Sequence, residues 1–171
     1  MQVRSRTRQR NNILVTGVIL LLVGGIIVGV GYYVVWSVTT GPAQVEYYLS
    51  PYPTITLGNG NNFIQGIEIQ NLGDAAAIVN IILYASSGAT VCNGNGACEF
   101  ANVRIDQNTP WVGFSFTVHV PPNLPSFTVS LQVQKAGSLF DLGTMLGEFK
   151  LDGAAYFTYK LFSGNVYDLV L

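Results

Sequence analysis

Cys92 and Cys98 are the best-defined chemical pair in the chain. They bracket Asn93, Gly94, Asn95, Gly96 and Ala97, a tight Asn-Gly loop. Two cysteines this close suit a disulfide in an oxidising compartment. Closing a loop of about 7 residues stabilises a fold by about 2.4 kcal/mol on the chain-entropy estimate. A redox or metal pair is the alternative chemistry, but redox pairs are spaced CxxC and no ligand partners lie nearby. His119 is the only histidine. Blue-copper sites need two histidines and a cysteine, and catalytic zinc usually needs three ligands with histidine dominant. One histidine supplies neither, and His119 reads as a surface residue. No serine sits in a G-x-S-x-G elbow. Glu46, Glu68, Asp74, Glu99, Asp106, Asp141, Glu148, Asp152 and Asp168 are scattered singly, without the spacing of an EF-hand. A carboxylate pair for glycoside hydrolysis would have to assemble in space. The chain reads as a non-enzyme, with no catalytic residue, cofactor or metal expected.

The elements around these residues divide the chain in two. Residues 13–36 form a run of 24 without a charge. As a helix this run is about 36 Å long, enough to cross a hydrocarbon core of about 30 Å with some tilt. It exceeds the h-region of an ordinary cleaved signal. Arg4, Arg6, Arg8 and Arg10 precede it, half of the eight basic residues. Basic flanks stay on the cytoplasmic side, so the N-terminus is expected inside and the bulk of the chain outside. Tyr32, Tyr33 and Trp36 form an aromatic belt at the far end. The expected organisation is a basic tail (1–12), a transmembrane helix (13–36), a stalk and leading strand (37–53), and an exterior domain (54–171).

The anchor carries Gly17, Gly24, Gly25, Gly29 and Gly31. The first, second and last of these are seven apart and share a seam, while Gly25 and Gly29 make a GxxxG pair. Glycine lets helix backbones approach closely in lipid, where packing drives association. The plain alternative is that glycine is common in membrane helices.

Beyond the anchor, four basic residues face nine acidic ones, a net of −5. There is no basic patch for nucleic acid, and none is expected as a partner. Charged residues make up 10% of the chain, which fits either a surface exposed to acid or one packed against neighbours. No Asn-x-Ser/Thr acceptor is present, and Asn108-Thr109-Pro110 fails the pattern.

Period-two alternation dominates this part. Val112, Phe114, Phe116, Val118 and Val120 share one face. Phe127, Val129, Leu131 and Val133 share another, as do Phe63, Ile67 and Ile69, and Phe157, Tyr159 and Leu161. Ala77–Ala85 is apolar on both sides and reads as a central buried strand. Turns are expected at Gly58-Asn59-Gly60, Asn71-Leu72-Gly73-Asp74, Asn93-Gly94, Pro121-Pro122, Gly153 and Gly164-Asn165. Residues 139–146 allow a short helical turn. Seven to nine strands over about 125 residues suggest a mainly β chain, an immunoglobulin-like antiparallel β-sandwich behind one transmembrane helix.

Two resemblances follow. The segment Ile67-Glu68-Ile69-Gln70-Asn71-Leu72-Gly73-Asp74, continuing through Ala75 to Tyr84, resembles the cell-adhesion-related domain of bacterial and archaeal surface proteins. That resemblance implies an immunoglobulin-like binding or spacer module. The layout of basic leader, hydrophobic helix and β-rich outer domain resembles archaeal type IV pilins, which implies a filament subunit. Pilin leaders end in a basic residue followed by Gly or Ala. Here the junction is Arg10-Asn11-Asn12-Ile13, which favours an anchor retained in the membrane.

The leading expectation is a structural subunit of a cell-envelope or virion surface assembly. Its partners would be the lipid membrane, copies of itself, or other membrane or envelope proteins. The alternatives are a pilin-like filament subunit, a tethered binding module using Tyr47, Tyr48 and Tyr52, and an accessory subunit of a larger membrane complex.

Overall fold

The computed structural model describes residues 3–50, 56–92 and 97–170, with only the backbone considered for 3–14 and 37–39. The chain forms two compact units, residues 1–40 and 41–171.

The first unit is helix α1, Val3–Thr39. It starts earlier than the apolar run, so most of the basic segment expected as a tail is helical. With 37 residues it is about 55 Å long. Proline is absent from it and β-branched residues are spread through it, so nothing in the sequence breaks the hydrogen-bond ladder. The Thr40 amide closes its end on the Trp36 carbonyl at 2.7 Å.

The second unit contains β1 (Gln44–Leu49), β2 (Thr56–Gly58), β3 (Gly60–Asn71), β4 (Ala77–Ala85), β5 (Thr90–Val91) and β6 (Ala97–Ile105). It continues with β7 (Thr109–Val120), β8 (Ser126–Lys135), the single turn α2 (Leu142–Met145), β9 (Glu148–Leu151), β10 (Tyr156–Ser163) and β11 (Val166–Val170). One sheet runs β5-β7-β3-β1-β9 and the other β2-β11-β10-β8-β4-β6. Their inner faces make a two-layer sandwich. The described residues hold eleven strands, more than the alternation suggests. One pair, β1 with β9, is parallel, so the sandwich is not wholly antiparallel. The segment 37–53 contains β1, which lies inside the first sheet between β3 and β9. This leading strand is therefore part of the body, which begins at Gly41.

The core joins Val45, Leu49, Ile67, Ile69, Phe116, Val118 and Val120 from one sheet to Val79, Ile81, Leu83, Phe127, Val129, Phe157, Tyr159 and Tyr167 from the other. Phe127 stacks on Tyr159, with ring centroids 5.2 Å apart, and meets Tyr167 edge-on at 5.6 Å. Burial without water pushes the Tyr159 phenol up to about 12.

Three sequence expectations need correction. Phe63 does not share a face with Ile67 and Ile69. A bulge between Gln65 and Ile67 flips the strand's phase, so Ile64 is buried and Phe63 is 63% exposed. Gly66 sits at that bulge, where a Cβ would lie 2.7 Å from the Ser50 carbonyl oxygen. Leu161 keeps the phase of Phe157 and Tyr159 but lies beyond the β8 pairing, which ends at Lys160 with Ser126, and it is exposed. The strand Ala77–Ala85 has the bounds its sequence suggests, and it pairs with β8 and β6. It is one strand from the sheet edge rather than central. Val79, Ile81 and Leu83 are fully buried, while Ile78 and Ile82 are half-buried and Tyr84 is exposed.

Candidate functional site

Asn71 ties the two layers together. Its side chain is fully buried. Its Oδ1 accepts from the Gln44 and Gly73 amides, both at 3.1 Å. Its Nδ2 donates to the carbonyls of Ala75, Ile105 and Asp106 at 2.8, 3.2 and 3.1 Å. One amide therefore links β1, β3, the following turn and the end of β6, which belongs to the opposite sheet. Gly73 completes the device: a Cβ there would collide with the backbone of Pro42, Ala43 and Gln44. The Asn-x-Gly turn, noted in the sequence as a motif, is an architectural joint.

Cys92 and Cys98 form a disulfide. It links the end of β5 in one sheet to the start of β6 in the other. The Asn93-Gly94 turn expected inside this loop lies outside the described residues. Neither cysteine is a free thiol.

Several residues capable of acid–base chemistry are engaged with neighbours. His119 Nδ1 lies 2.9 Å from Asn61 Oδ1 on the exposed outer face of β7 and β3. Glu46 accepts from Gln70 Nε2 at 2.7 Å and faces Lys150 at 3.7 Å, and Lys150 also reaches Asp152 at 3.6 Å. Asp106 pairs with Arg104 at 2.7 Å. Asp141 accepts from the amide and hydroxyl of Ser138. Among the described residues, no three of His, Cys, Asp and Glu converge to hold a metal ion.

Of the tyrosines considered as binding handles, the two described ones have different surroundings. Tyr47 packs against the core. Tyr48 is held edge-on to Trp111, with centroids 5.0 Å apart, and lies against Gly153. Tyr52 lies outside the described residues. The partnership of Tyr48 with Trp111 crosses from β1 to β7 over β3, and no local pattern announces it.

The remaining candidate surface is α1 itself. The span Val15–Trp36 is long and apolar enough to cross a membrane, and none of it is buried within the chain. A Cβ placed on Gly17, Gly24, Gly25, Gly29 or Gly31 would meet nothing within 4 Å. The chain's own packing therefore requires glycine at none of them. Geometry divides the five into two sets. Gly17, Gly24 and Gly31 drift by about 20° per heptad along one seam. Gly25 and Gly29 lie about 120° around the helix from that seam at 3.6 residues per turn. Tyr32 and Tyr33 are exposed near the C-terminal end of the span, and Trp36 is half-buried. The side chains of Arg4, Arg6, Arg8 and Arg10 lie outside the described residues, although their backbone is helical.

Helix and body together define a class by architecture: a β-sandwich domain with a disulfide, preceded by an apolar helix of membrane-spanning length. The chain matches no family model, no curated protein and no solved structure.

Proposed function

We propose that the chain is a non-enzymatic structural subunit of a cell-envelope or virion surface assembly, held by one membrane helix through which copies associate. The observation that carries this reading is the set of five helix glycines with open space over every one. In lipid, apolar side chains gain nothing by meeting each other rather than acyl chains. Close backbone approach at glycine is what favours helix against helix. Two glycine faces about 120° apart give each helix two neighbours, which supports an assembly larger than a dimer. The basic N-terminal segment stays in the cytoplasm and the body lies outside, where its disulfide persists.

The body's edges support the same reading from the other side. Edge strand β5 has 2 residues, β2 has 3 and β9 has 4. The longer edge strand, β6, is interrupted by a bulge at Asn102, which has positive φ and donates its amide to Asn80 Oδ1. Short or bulged edges resist pairing with another chain's strand, but β5 covers only Val118 and His119 of β7, which leaves most of that 12-residue strand without a second ladder partner among the described residues. Assembly through the helix therefore leaves the open side of β7 available for contact between bodies.

Cross-linking of the full chain in its native membrane tests this. A ladder of homo-oligomers is the expected product. A single unlike partner would favour an accessory subunit instead, and a monomer whose cross-links depend on added ligand would favour a binding module. N-terminal sequencing addresses the pilin alternative: an intact arginine segment is expected, whereas a mature start at Asn12 or Ile13 would favour a processed filament subunit.

A further inference from the structure

Residues 138–146 present apolar side chains to solvent from an ordered frame. Leu139 is 80% exposed and Phe140 89%, and Met145 and Leu146 are exposed beside them. The frame is fixed from several directions. Asp141 Oδ2 accepts from the Ser138 amide at 2.6 Å and from its hydroxyl at 2.9 Å. The Thr144 hydroxyl accepts from the Ile78 amide at 2.9 Å. The Gly143 carbonyl accepts from the Ala43 amide at 3.1 Å, and Gly143 packs against Ala75. Lys135 Nζ donates to the carbonyls of Met145 and Gly147 at 3.0 and 2.8 Å. A loop held this firmly does not expose Leu and Phe for want of an alternative conformation.

We propose that this loop is a second membrane contact, in which Leu139 and Phe140 insert into the leaflet from which the helix emerges. The proposal rests on the reading of α1 as a membrane anchor. Three observations select lipid as the occupant. First, the frame is bonded to Ala43, four residues after the last residue of α1. The covalent chain allows at most about 14 Å between Ala43 and that residue, so the frame's attachment point stays near the helix exit. Second, Leu139 and Phe140 are almost fully exposed, which suits a fluid phase that closes around them. Third, the charges in the frame are internally engaged: Asp141 by Ser138, and Lys135 by two carbonyls. Neither needs a lipid counter-charge, so a zwitterionic surface suffices.

Spin labels on the full chain in phosphatidylcholine vesicles test the proposal. Both native cysteines are in the disulfide, so one introduced cysteine takes the label uniquely. The sites are Leu139→Cys in the loop, Val23→Cys in the helix and Lys160→Cys in the body. Lys160 is exposed and pairs with Ser126, at the opposite end of β8 from Lys135, about 30 Å along the strand. The ratio of collisions with oxygen to those with a water-soluble nickel chelate is read at each. The label at 139 is expected to approach the high ratio at 23, several-fold above that at 160. A ratio at 139 equal to that at 160, with 23 still lipid-exposed, overturns the loop contact and leaves the anchor standing. Shielding of 139 from both reagents also overturns it, in favour of a second copy or another protein. A water-like ratio at 23 overturns the anchor and the loop contact together.

Discussion

At the scale of single residues, Asn71 and the Cys92–Cys98 bridge link the body's two layers. Asn71 satisfies five backbone groups, so truncating it strands buried donors and acceptors. Asn71→Ala is expected to cost about 2–4 kcal/mol in denaturant unfolding. An unchanged midpoint would show that the joint is dispensable. Reducing the Cys92–Cys98 bridge is expected to cost about 2.4 kcal/mol from loop closure, measured as the loss of stability in reductant. Tyr159 makes a pH prediction. Its folded phenol holds its proton to about 12, whereas an unfolded tyrosine releases it near 10. The folded state therefore binds more protons between those values, and stability falls as pH rises through them. The loss is on the order of 2–3 kcal/mol by pH 12 and should be absent in Tyr159→Phe. Cys92 and Cys98 were legible as a pair because spacing and compartment suffice to suggest a bridge. The role of Asn71 was not, because its five partners come from three separate stretches of chain.

At the scale of elements, alternation was readable wherever a strand kept one phase. In β7 and β8 the residues expected inside become the core: Phe116, Val118 and Val120, and Phe127, Val129, Leu131 and Val133. Val112 and Phe114 lie on the same face but only half-covered or exposed, toward the strand's start. Legibility failed at bulges. One extra residue near Gly66 inverts every side chain before it, and period-two counting carries the wrong face across. The bulge has a measurable signature. Ile64→Ala is expected to cost about 2–4 kcal/mol, and Phe63→Ser less than about 0.5 kcal/mol. The reverse ranking in unfolding experiments would place Phe63 inside and remove the bulge. The parallel pairing of β1 with β9 was equally hidden. The two strands are separated by nearly the whole body, and nothing local to either specifies the other.

At the scale of the whole molecule, the chain is built of two unlike parts. The body has a two-layer apolar core, a disulfide between its layers, and one long strand side, that of β7, only partly covered by β5. The helix has an apolar surface with glycines that its own chain does not need. The existence of the helix was evident from 24 uncharged residues in a row. Its start at Val3 was not, because arginine and glutamine are good helix formers and leave no boundary before the apolar run. The proposal that copies meet along this helix is tested most directly by cross-linking Gly24→Ile/Gly29→Ile in membranes beside the unaltered chain. The pair places a bulky side chain on each glycine face while leaving the body untouched. The ladder of homo-oligomers is expected to collapse to monomer, with the body's unfolding midpoint unchanged. A ladder of the same length and intensity in the variant would contradict assembly through the helix.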